Sequence, residues 1–94
     1  MDRTYLVECF WPEVTPAALS DASVRAVAAA RELSILGPDV RFLGSLLIPV
    51  DETVFCRFVA SRAADVERAS TLAQLPFGRI LESVELPGDD EAGP

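Results

Sequence analysis

The sequence predicts an α+β sandwich built in the order βαββαβ, and three observations predict it. Its 94 residues leave room for one core and no second. Four short runs are dense in aliphatic, aromatic and β-branched residues, as strands are. Between them lie two stretches with small apolar residues three and four positions apart, as on the inner face of a helix.

The first run, Arg3 to Trp11, contains Tyr5-Leu6-Val7-Glu8-Cys9-Phe10-Trp11 and is apolar almost throughout. A strand covered on both faces reads this way, so it is a central one. Pro12 ends it. Thr15 then offers a capping hydroxyl and Pro16 suits the first helical position. Leu19, Ala22, Ala26, Ala30 and Leu33 form one apolar stripe, with Asp21, Arg25, Arg31 and Glu32 mostly outside it. Gly37-Pro38-Asp39 stops the helix.

Val40 to Ile48 is the second strand, Pro49 to Thr53 a turn, and Val54 to Val59 the third strand, giving a hairpin. With Asp51 and Glu52 at its tip, Ile48 pairs with Phe55, Leu46 with Arg57 and Gly44 with Val59 on one face, while Leu47 with Cys56 and Ser45 with Phe58 share the other. Ser61 caps a shorter helix that turns Ala63, Val66, Ala69 and Ala73 inward and Arg62, Asp65, Glu67 and Arg68 mostly to solvent. Leu75-Pro76-Phe77-Gly78 ends it, and Arg79 to Leu86 is the fourth strand. Residues 1–88 form the domain and 89–94 an acidic, disordered tail.

Right-handed crossovers from strand one to two and from three to four place strand three beside strand one. The result is a four-stranded antiparallel sheet with both helices on one face, the ferredoxin-like arrangement. The other face has no cover. By the hairpin pairing it carries Phe42, Leu46, Ile48, Phe55 and Val59, and from the first strand Leu6, Glu8 and Phe10, with Tyr5, Val7 and Cys9 beneath the helices. An apolar patch of that extent calls for a second copy of the chain or a ligand.

Glu8 and Arg57 then project into the same apolar surroundings. They form either a structural ion pair at a dimer interface or a catalytic pair, with Glu8 as base and Arg57 stabilising developing negative charge. Phe10, Trp11, Phe42, Leu46, Phe55 and Val59 are the candidate ligand-binding residues, although Trp11 suits a cap on the core better. Glu82 is a weaker partner for Glu8, because the fourth strand does not alternate cleanly.

Composition removes several classes of function. The net charge of −7, the lack of any lysine and the scattered arginines leave no basic stripe for nucleic acid. No apolar run approaches the length of a membrane span, and the first residues lack a secretory pattern, so the expected location is the cytoplasm. Without histidine there is no Ser-His triad and no imidazole metal ligand. Cys9 and Cys56 sit in strand-like apolar segments and are expected as reduced core residues. Neither a metal nor a cofactor is expected.

Tyr5-Leu6-Val7-Glu8, Thr15 with Leu19, Val54-Phe55-Cys56, and Leu75-Pro76 before a final strand together resemble the small bacterial nickel-binding-protein-like family. The likeness runs from Thr4 to Leu86. It implies ferredoxin-like homodimers, mostly of unknown function. On this register the histidines of its metal-binding members fall at Glu8, Cys9, Gly44, Ser70 and Leu75, and the family's Glu-Ala-Pro after the third strand falls at Val59-Ala60-Ser61. These departures count against nickel.

The expected function is therefore a homodimer, resembling a dimeric α+β barrel, that binds a small apolar or amphipathic molecule at its open sheet face. The alternative is a cofactor-free cyclase, isomerase or monooxygenase that uses Glu8 and Arg57. A scaffold that meets a different chain is a third class.

Overall fold

A computed structural model describes residues 2–89, so the tail assigned to 89–94 lies, from residue 90 on, outside the described residues. The elements are β1 (Arg3–Phe10), α1 (Pro16–Leu36), β2 (Arg41–Ile48), a 3₁₀ turn (Pro49–Asp51), β3 (Thr53–Ala60), α2 (Ala63–Leu72) and β4 (Phe77–Ser83). The strands form one sheet in the order β2-β3-β1-β4, antiparallel throughout. This is the ferredoxin-like α+β fold the sequence predicts. No helix among the described residues is long and apolar enough to cross a membrane.

Every second residue of β1 and β3 lies beneath the helices: Tyr5, Val7 and Cys9, then Val54, Cys56, Phe58 and Ala60. Alanines face them from α1, at positions 22, 26, 29 and 30, with Leu33 at the far end. Small side chains let a helix lie close to the sheet, so bulk comes from the strands instead. Phe58 supplies most of it, with its ring tilted 57° against Phe42 and the centroids 5.2 Å apart.

The caps explain where the helices start and stop. Thr15 holds an extended conformation and its hydroxyl accepts from the Ala18 N–H at 3.0 Å. Thr15→Ala is expected to cost about 1 kcal/mol in a urea melt. An unchanged midpoint there would show that the cap is idle. At the other end Gly37, at φ 139°, turns the chain out of the helix. The Ser34 hydroxyl then bonds both the N–H and the carbonyl of Val40 at 3.1 Å, which fixes the entry into β2.

Several local expectations are corrected. Residues 49–52 form the hairpin loop, with the 3₁₀ turn and a left-handed Glu52 consuming four residues, so Ile48 pairs with Thr53 and Leu46 with Phe55. The register therefore slides by two and the faces of residues 44–48 are unchanged. Further along β2 the register shifts between Phe42 and Gly44, and this bulge reverses the parity. Phe42 consequently lies opposite Phe58 on the helix-covered side and not on the open face.

The second helix is capped by Arg62 in backbone only, with no side-chain bond from Ser61. Asp65 is buried, 3% exposed, while Ala63 faces solvent. The Arg62 guanidinium crosses the first turn to bond both oxygens of Asp65, at 3.3 and 3.0 Å, so the buried carboxylate is paired. Lastly, β4 starts at Phe77 and stops at Ser83, leaving Val84 and Leu86 exposed beyond it.

Candidate functional site

Strand alternation carries Leu6, Glu8 and Phe10 of β1, and Thr53, Phe55, Arg57 and Val59 of β3, to the face without helices. Pairing arranges the face in rows. One row reads Gly44, Arg57, Leu6, Leu81 across the sheet, and the next reads Leu46, Phe55, Glu8, Arg79. Beyond them Ile48 lies across Thr53 from Phe10. Leu46 is 59% exposed and Phe10 64%, although both are strand residues of an ordered sheet.

Within this apolar field stand two ion pairs. Glu8 is gripped by Arg79 of β4, with Nε donating to Oε1 at 2.8 Å and Nη2 to Oε2 at 3.3 Å. The expected partnership of Glu8 with Arg57 is thus replaced, because β4 brings a guanidinium directly opposite Glu8 while Arg57 lies one row away. Arg57 instead donates from Nη2 to Oε2 of Glu85, at 3.3 Å, in the segment after β4. A shallow pocket of about 290 Å³ opens there between Thr4, Arg57, Ser83, Val84 and Glu85.

The hydrogen bond from Arg79 holds the Glu8 carboxyl below its ordinary value of 4.5, against partial desolvation, and the positive charge adds to the effect. A depressed carboxylate stabilises the fold above its ordinary value, and that contribution disappears as pH falls through the lowered one. Near neutrality Glu8 is ionised and already paired. That arrangement suits an anchor better than a base, whose pKa should lie near the working pH.

Trp11 and Phe42 do not reach this face; both pack, half-buried, against the core. The Trp11 N–H donates to the carbonyl of Glu52 at 2.8 Å and ties the end of β1 to the hairpin loop. Glu82 pairs with Tyr5 in the register and bonds Arg3 at 3.4 Å, so it does not join Glu8. Of the candidate residues, Glu8, Phe10, Leu46, Phe55, Arg57 and Val59 share the open side. Arg79 and Leu81 belong with them and were missed, because the fourth strand does not alternate cleanly and its facing does not follow from the sequence. Glu8 directly opposite a cation on the neighbouring strand was the signal.

Cys9 and Cys56 are free and buried on the other side of the sheet. A hydrogen bond with Cys56, together with burial, pushes the Cys9 thiol far up. The neighbouring Cys9 thiol, with help from Ser45 at 3.6 Å, brings Cys56 down to about 7 against its own desolvation. Also on the helix side, a groove of about 500 Å³ runs between α1 and α2, floored by Leu33, Leu36, Leu72 and Phe77. Leu36 and Leu72 lie outside the stripes read from the sequence, which is why the groove was not foreseen.

Residues 5–82 match the family model for nickel responsive proteins like SCO4226. The crystal structure of SCO4226 from Streptomyces coelicolor A3(2) aligns with a TM-score of 0.72 at 20% identity, covering 90% of this chain and 99% of that one. At that identity the likeness establishes the fold. No curated protein matches the chain. The residues here do not fit a resident nickel ion. The sequence has no histidine, and no group of three His, Cys, Asp or Glu suited to a metal occurs among the described residues. The two thiols point under the helices while Glu8 points the opposite way, so they cannot close on one ion. By a match running from β1 into β4, with the fold to accompany it, the chain belongs to the SCO4226-like nickel responsive protein family.

Proposed function

We propose that the protein is a homodimer whose two open sheet faces meet and hold a small apolar or amphipathic molecule. The observation that carries this reading is the face itself, where Leu6, Phe10, Leu46, Ile48, Phe55 and Leu81 stand together without a covering element among the described residues. Four strands about 4.8 Å apart and about eight residues long project roughly 500 Å². That is the extent of the whole face, charged residues included, and side-chain relief raises the area toward the roughly 800 Å² per partner of a standard interface.

Both ion pairs favour a covered face over a reactive one. Glu8 and Arg79 neutralise each other, as do Arg57 and Glu85, so two faces meeting would not bury a lone charge. The enzymatic alternative requires Glu8 free to take a proton, and its tie to Arg79 opposes that.

Sedimentation equilibrium over a wide concentration range tests the reading. The expected result is reversible association to twice the 10.1 kDa chain mass, with the dye 1-anilinonaphthalene-8-sulfonate bound less per chain as dimer forms. A mass of 10.1 kDa at every concentration would sink it.

A further inference from the structure

Of the ion pairs on the open face, Glu8 with Arg79 and Arg57 with Glu85 stand over its apolar rows and are unequal, and the weaker one has the form of a site whose ligand is being imitated. Glu8 and Arg79 are strand residues directly opposite each other, joined by two contacts. Arg57 also stands on a central strand, but its partner does not. Glu85 follows the end of β4 and reaches the guanidinium through a single 3.3 Å contact, with its own side chain 64% exposed. A guanidinium presents five N–H donors in a planar fork that matches both oxygens of a carboxylate, so most of Arg57's capacity is unused.

The surroundings of Arg57 select what kind of anion would use it. Across β2 its neighbour is Gly44, where a Cβ would meet nothing within 4 Å, so the space beside the side chain is open. Across β1 lies Leu6, and beyond it Leu81. Val59 is the next residue of β3 on the same side. Arg41 and Thr4 flank Val59 on the same side, but Arg41 is engaged by Asp2 at 3.9 Å, so Arg57 is the cation set beside Leu6 and Leu81 with a vacant flank, which suits a ligand with one carboxylate and a hydrocarbon body. A phosphate or a small dicarboxylate would leave charge over leucine.

Resting on the covered face proposed above, we infer that Arg57 anchors the carboxylate of an amphipathic monocarboxylic acid, whose apolar chain lies over Leu6, Val59 and Leu81, and that the Glu85 carboxylate holds the place until the ligand displaces it. Displacement frees Glu85 to water at little cost, because an exposed ion pair of this kind contributes little. The 84–88 segment thereby acts as an internal competitor.

Calorimetric titration with sodium octanoate, against 1-octanol of the same chain length, tests this, with sedimentation and circular dichroism on every variant. Octanoate is expected to bind at least about tenfold more tightly than octanol, as a charge-assisted bidentate bond implies. Arg57→Met should abolish that preference without changing the fold. Glu85→Gln should tighten octanoate severalfold and leave octanol unchanged, an effect a merely structural ion pair would not produce.

Equal binding of acid and alcohol, or octanoate weakened or unmoved by Glu85→Gln, overturns the anchor. So does a dimer that binds neither compound, while leaving the face-to-face reading intact. A monomer that still selects octanoate through Arg57 supports the anchor and sinks the dimer alone.

Discussion

Phe58→Ala is expected to remove about 3–5 kcal/mol of folding free energy, the range for losing a buried phenylalanine without full collapse of the cavity. A domain of this size holds only about 5–15 kcal/mol in all. Phe58 is fully buried on central strand β3, across from Tyr5 on one side and Phe42 on the other. The helix surfaces above it are largely alanine, which cannot move in to fill the space. Urea unfolding followed by far-ultraviolet circular dichroism should show the midpoint falling steeply at constant slope. Phe58→Leu should recover more than half of the loss. A drop below about 1 kcal/mol for the alanine variant would mean that the centre of the core lies elsewhere.

The second large effect concerns assembly. Leu46→Asp is expected to shift the proposed dimer to monomer at micromolar concentration, raising its dissociation constant by roughly a hundredfold or more. In a two-fold interface each substitution counts twice, and each places a carboxylate against apolar side chains. The monomer should keep its fold, because Leu46 is 59% exposed and its cross-strand neighbour is the uncharged Phe55. Val24→Asp is the matched control. Val24 is also well exposed, at 69%, but stands on α1, on the other side of the sheet. Light scattering distinguishes the outcomes. Equal dissociation by both variants, or by neither, would move the interface away from the open face.

The architecture was legible because four runs dense in β-formers are separated by two helical stripes and because Thr15-Pro16 and Gly37 punctuate α1 unambiguously. The face of β1 follows from Tyr5, Val7 and Cys9 alone. Phe42 could not be placed by counting, since a bulge consumes one residue and reverses every residue beyond it. The one mark it leaves is Gly44, whose φ of 131° few other residues tolerate. Asp65 was read as solvated because periodicity sees polarity and not partners. Only the pairing with Arg62 makes its burial sustainable. The partner of Glu8 was misread for a related reason: the facing and register of β4 set which arginine it meets, and a strand without clean alternation leaves both open.

The bulge in β2 also bears on how copies of the chain meet. Of the two outer strands, β2 is kinked between Phe42 and Gly44 and is followed directly by Pro49, while β4 carries its own irregularity opposite Glu8 and Cys9 and is bracketed by Pro76 and Pro87. Such rims make poor templates for adding another strand, since the ladder of main-chain donors is broken and prolines withhold theirs. Growth of the sheet sideways into a continuous ribbon is thereby discouraged, and in the proposed assembly contact is left to a broad flat surface that two molecules would use up.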